Sequence, residues 1–236
     1  MLVANSSATD GVFTYSSTAK SMLFSLTCAA FWIGMLNSIQ EICKERDIFE
    51  REKISTVRIL PYVSSKLVII AFLCLFQALT LIGVVRAFTG EFPANDFGVA
   101  SFFGFFLTTF LTVYCAACLG LAVSALSPNA DRAMAIAPIL LLPQILFSGV
   151  VFELEEFMSY LSNAIPSKLS MQSFGVLSNL NDLATSSSVD DKTFHSMYSI
   201  TNLSGFYWAW IGLAITSLLY IVIFVSALKL KEVFSS

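Results

Sequence analysis

Cys115 and Cys118 stand one helical turn apart, a spacing that could present two thiolates to a metal ion. No histidine or further cysteine accompanies them, so they read as small apolar packing residues and no metal site is expected. Cys28 and Cys74 also fall in apolar runs, Cys43 lies in a charged loop, and the polar segments read below as external hold none. No structural disulfide is therefore expected. A hydrolase needs a base beside its nucleophile, but the single histidine, His195, sits in a polar stretch far in sequence from any candidate serine. It reads as a solvated loop residue. No phosphate-binding loop of the GxxxxGK[ST] kind is present, so the chain does not itself hydrolyse nucleotide by that route. The inventory leaves no catalytic residue and no cofactor of its own.

The elements around these residues are apolar. Hydrophobic residues make up 56% of the 236 and charged residues 12%, and the mean hydropathy is +0.78. Soluble domains carry about twice that charged fraction. A net charge of −3 gives no reason to expect nucleic acid as a partner. Crossing a ~30 Å hydrocarbon core takes about 20 apolar residues in a helix. Five stretches qualify: about 21–40, 65–85, 99–126, 133–152 and 205–228. None contains Asp, Glu, Arg or His, and the only Lys is Lys66, at a boundary. Pro138 and Pro143 interrupt the fourth stretch, which reads as one kinked helix closed by Gly149. The fold class is all-α, a polytopic protein of the lipid bilayer.

Nine of the 13 basic residues fall on one side of this plan: Lys44, Arg46, Arg51, Lys53, Arg58, Lys66, Arg132, Lys229 and Lys231. The positive-inside rule places the 41–64 loop, the 127–132 turn and the C-terminus in the cytoplasm. Residues 1–20 are then external, a polar Ser/Thr-rich stretch without the features of a signal peptide. They read like a loop between two spans, so a sixth span is expected before them. The alternative is an N-out protein without a signal.

Two segments outside the spans are informative. Residues 41–55 are patterned as an amphipathic helix with opposite-charge i,i+4 pairs, Arg46–Glu50 and Asp47–Arg51. Ile42, Ile48 and Phe49 form its narrow apolar edge. Membrane-surface helices are usually strongly basic, whereas acids and bases nearly balance here, which suits a groove on a protein partner. The external region 153–204 opens with Phe152, Phe157, Met158 and Leu161 spaced along one side of a short helix, then passes into a polar loop. Charges inside a membrane normally mark ion or proton pathways, and the spans have none. Energy for uphill transport would have to enter from a partner.

The block NSIQEICKERDIFEREK followed by YVSSKL resembles the signature of ABC-2 type permeases in the G subfamily of ABC transporters. SALSPNADRAMAIAP between spans three and four, LFSGVVF ending span four, and Ile165-Pro166 opening an external helix support the resemblance. It covers nearly the whole chain from about residue 12 and is strongest to bacterial members in which the permease follows an ATP-binding domain.

The resemblance implies a transmembrane domain over 21–236 that lacks the family's first span and the nucleotide-binding domain. It implies a homodimer in a bacterial inner membrane, with ATP and Mg bound in the ATP-binding domain, fused or separate. The 41–55 helix becomes the coupling helix, with Glu45, Arg46, Ile48, Phe49, Arg51 and Glu52 at the ATPase. Ile33, Leu142 and Ile145 fall at substrate-cavity positions, and Val150 and Val151 at a hydrophobic valve. These cavity positions are aliphatic where the family has aromatics, which puts stacking on flat polycyclic ligands in doubt. The expected function is an exporter of apolar or amphipathic compounds. The rival is a non-transporting membrane scaffold or receptor subunit.

Overall fold

Within a bilayer no water can satisfy a peptide N–H or C=O, so long apolar runs bond their backbone internally and become helices. The computed structural model describes residues 16–45, 59–90, 92, 101–148, 165–178, 180 and 203–234. They form α1 (Ser16–Ser38), α2 (Ile59–Thr89), α3 (Ser101–Leu126), α4 (Ala130–Leu146), α5 (Pro166–Leu177) and α6 (Leu203–Phe234), with no strand among the described residues. A helical stretch at 41–45 follows α1 after a turn at 39–40.

Four segments have the length and composition to cross a membrane: Thr18–Glu45, Pro61–Thr89, Ser101–Leu126 and Tyr207–Leu230. They coincide with four of the five expected spans. The fifth, expected over 133–152, contains α4, which runs unbroken through Pro138 and Pro143 but has only 17 residues. That is short of the roughly 20 a crossing takes, so among the described residues four helices rather than five reach spanning length. Asn129 starts α4 by accepting the N–H of Arg132 at 3.0 Å, and Asp131 favours the positive end of the helix dipole.

α3 is the centre of the molecule and packs against all five other helices. Of its apolar stretch 67% is buried, against 22% for α2 and 28% for α6. The outer helices instead present Phe72, Phe76, Phe88, Leu218 and Val222. Apolar faces of that extent do not face water in a soluble monomer; lipid covers them here.

The helix expected at Ile165-Pro166 exists, and it is packed into the helical core. Every side chain of α5 from Pro166 to Leu177 is buried except the half-buried Gln172, packed among α1, α3 and α6. Its serines make this possible because Ser170 and Ser173 donate to the carbonyls of Pro166 and Leu169, four residues back. A hydroxyl satisfied by its own helix can be buried at little cost. Two serines also tie α5 to its neighbours: Ser170 Oγ lies 2.6 Å from Thr112 Oγ1, and Ser167 Oγ donates to the Gln144 carbonyl at 2.5 Å. Lys168 is only 5% exposed, and this burial holds its ammonium below the usual lysine range. Phe105, Met171, Phe174 and Leu177 close the core around this helix together with Leu23 and Ile82.

Candidate functional site

α1 and α3 meet through small residues. Ala30, Gly34 and Ser38 recur every fourth position on α1, as Ala116, Gly120 and Ser124 do on α3, and all six are buried. A Cβ on Gly34 would collide with the Val113 carbonyl oxygen and sit 3.1 Å from Ala116 Cβ; one on Gly120 would sit 2.7 Å from the Met35 carbonyl oxygen. Without a hydrophobic driving force between helices in lipid, close backbone approach of this kind is what holds them together.

The seam leads to a polar cluster. Ser124 Oγ accepts the N–H groups of Ile42 and Cys43, each at 3.1 Å. These are early donors of the 41–45 stretch, left open where α1 breaks, and a serine from another helix fills the N-cap role for them. The Cys43 thiol donates to the Ser124 carbonyl at 3.1 Å. The seam thus fixes the position of 41–45 on the end of α3.

Glu41 and Glu45 are one turn apart on that stretch and share one cation. Lys66 Nζ, from the first turns of α2, lies 3.0 Å from Glu41 Oε1 and 2.5 Å from Glu45 Oε1. The Tyr62 hydroxyl donates to Glu45 Oε2 at 3.2 Å. The lysine side chain is 11% exposed and the glutamates 38%, so these charge-assisted bonds are partly shielded from water. The two carboxylate oxygens lie within about 5.5 Å of one another. Without the cation they would repel by about 3 kcal/mol at an effective dielectric constant of about 20. The cluster therefore depends on Lys66 more than on either acid.

No group in this cluster is placed for bond breaking, and no grouping of His, Cys, Asp or Glu among the described residues could hold a metal ion. What it can do is join two helix ends across the charged 46–58 segment. Set against known families, residues 3–176 match the model for the ABC-2 type transporter. The chain belongs to that family. No curated protein matches it. As an ABC-2 membrane domain the chain is the permease part of an ABC transporter, and such domains generally work with ABC ATP-binding partners.

In this ABC-2 domain the residues expected to act from sequence are placed as follows. Glu45 lies in the Lys66 cluster. Arg46, Ile48, Phe49, Arg51 and Glu52 lie outside the described residues, as do Val150 and Val151. Ile33 and Ile145 are half-buried, and Leu142 is exposed. The α1–α4 contact uses other faces, through Phe31, Met35 and Ile39 against Ala133, Ala137 and Leu141. Ile33 and Leu142 are therefore outside the core that joins their two helices. Glu41, Tyr62 and Lys66 lie in the two blocks that carry the resemblance but were given no role from sequence, and Ser124 was not singled out. The signals were those two blocks, the four-residue repeat of small residues, and two acids at i,i+4 preceding a lysine that opens the next span.

Proposed function

We propose that the chain is the membrane half of an ATP-driven exporter that works as a homodimer with ATP-binding domains, fused or separate. The observation that supports this reading best is the fastening of 41–45 to both α3 and α2. The charged segment that follows Glu45 leaves from a fixed point and returns to α2, where Lys66 is tied to the same point. A displacement applied to that segment by an ATP-binding partner reaches α1, α2 and α3 together. The apolar stretches 21–40, 65–85, 99–126, 133–152 and 205–228 contain no carboxylate for ion coupling, which also favours an external source of energy.

In this mechanism ATP and Mg bind in the partner, and ATP shifts the membrane domain between inward- and outward-facing states only through its differential affinity for them. Arg46, Ile48, Phe49, Arg51 and Glu52 form the contact with the partner. Ile33, Leu142 and Ile145 line an aliphatic cavity at the two-fold axis, suited to apolar or amphipathic compounds. Val150 and Val151 close it on the far side. The exposed Leu142 and half-buried Ile33 leave apolar surface for a second copy to cover.

The test is ATP hydrolysis by the complete transporter in proteoliposomes. Phe49→Ala and Arg51→Ala are each expected to lower it at least about tenfold, a loss of roughly 1.4 kcal/mol of coupling. Hydrolysis at the wild-type rate in both variants would sink the coupling assignment.

A further inference from the structure

Glu45 belongs to the block that the family resemblance assigns to the ATP-binding partner, yet its carboxylate is already engaged. One oxygen meets Lys66 Nζ at 2.5 Å and the other accepts from the Tyr62 hydroxyl at 3.2 Å. Glu41, one turn earlier, meets the same Nζ at 3.0 Å. Both acids thus point at α2, and the cation between them is 9% exposed overall. A group placed to contact a partner would keep its charge free for it.

We propose that Lys66 is a positioning residue that clamps the 41–45 stretch after α1 to the start of α2, with Glu41 and Glu45 acting inside the chain and not on the ATP-binding partner. The inference rests on the coupling reading above and reassigns one of its residues. The clamp holds the two ends of the 46–58 segment at a set separation, so motion imposed on the segment is passed to both helices. Without it the 41–45 stretch and the start of α2 move independently, and motion imposed on one is not passed to the other.

The geometry ranks the variants. Lys66→Met removes the cation and leaves two carboxylates facing one another, so its effect is the largest. Glu45→Gln loses the charge of the acid that meets both Lys66 and Tyr62, and comes second. Glu41→Gln leaves Glu45 to hold the lysine alone, and is mildest. The double variant Glu45→Lys with Lys66→Glu keeps one cation between two acids with the positions exchanged, and is the rescue.

The experiment measures ATP hydrolysis by the complete transporter in proteoliposomes, with co-purification of the ATP-binding domain and thermal unfolding recorded for each variant. Lys66→Met is expected to lose about tenfold in turnover, Glu45→Gln about threefold and Glu41→Gln less than about twofold, with the double variant back within about threefold of wild type. The ATP-binding domain stays associated throughout. Three results would overturn the clamp: wild-type turnover in Lys66→Met, a folded double variant no better than Lys66→Met, or loss of the ATP-binding domain on changing Glu45 or Lys66, which would make the cluster a docking contact. Should Lys66→Met fail to fold, Glu45→Gln decides, and wild-type turnover there overturns the proposal equally. Recovery of the wild-type chain with no ATP-binding domain is a different failure. It removes the coupling reading itself, and the clamp with it.

Discussion

Replacing Gly34 by alanine is expected to lower the thermal unfolding midpoint in detergent by about 4–8 °C, or to prevent accumulation of folded protein. The new methyl would collide with the backbone carbonyl of Val113, with Ala116 Cβ 3.1 Å away on the same helix. A backbone oxygen in the middle of α3 cannot turn aside as the end of a flexible side chain can. The helices must separate, and overpacking of this kind costs about 3 kcal/mol. Alanine gains up to about 1 kcal/mol over glycine in a helix interior, so the clash wins. Gly83 in α2 is the control, because a Cβ there meets nothing within 4 Å. Gly83→Ala should leave the midpoint unchanged or raise it slightly. An unaltered midpoint in Gly34→Ala would show that α1 and α3 are not packed as described.

The second large effect is expected at Phe174. Its ring is fully buried and stacked 5.5 Å from that of Phe105, which in turn stacks on Phe92 at 4.5 Å. Phe174→Ala removes roughly 100 Å³ from this core, and at about 24 cal/mol per Å³ the cavity alone costs about 2.4 kcal/mol. The full cost in a water-soluble core would be about 3–5 kcal/mol. Part of the transfer contribution is lost when the unfolded reference is already in lipid, so the cavity figure is the better guide. Phe88, 85% exposed on α2, is the matched control, and its alanine variant should unfold at the wild-type temperature. Equal stability of Phe174→Ala and Phe88→Ala would contradict the burial of α5.

The spans were legible because the signal is a long average: twenty apolar residues without a charge have few alternatives to a membrane helix. What the sequence concealed was where polar residues went. Ile165-Pro166 marked the start of a helix outside the spans, but composition cannot reveal that serines bonding their own carbonyls make α5 fit for burial among them. α4 was expected to run further, but among the described residues it stops at Leu146. There the Phe147 N–H bonds the Pro143 carbonyl at 2.9 Å, and Pro138 and Pro143 have each removed a donor from the ladder.

The candidate site was half legible. Charge pairing along 41–55 pointed to a docking helix, and its central residues Arg46, Ile48, Phe49, Arg51 and Glu52 lie outside the described residues. The i,i+4 spacing of Glu41 and Glu45 was visible, but their shared partner lies 21 to 25 residues further on, across the whole charged segment. A contact of that separation leaves no periodic trace. Ser124 is further still from Ile42, 82 positions, although the repeat 116, 120, 124 on α3 and its counterpart 30, 34, 38 on α1 could have shown that the two helices touch.

The central claim is that force enters this chain through the segment after Glu45, fastened by the α1–α3 seam and by Lys66. The most direct test is photocrosslinking of the complete transporter in membranes with a benzophenone amino acid at position 49. The account predicts an adduct between position 49 and the ATP-binding domain, with a yield that changes when ATP is added. Adducts formed only with lipid or with other parts of the membrane domain would contradict it.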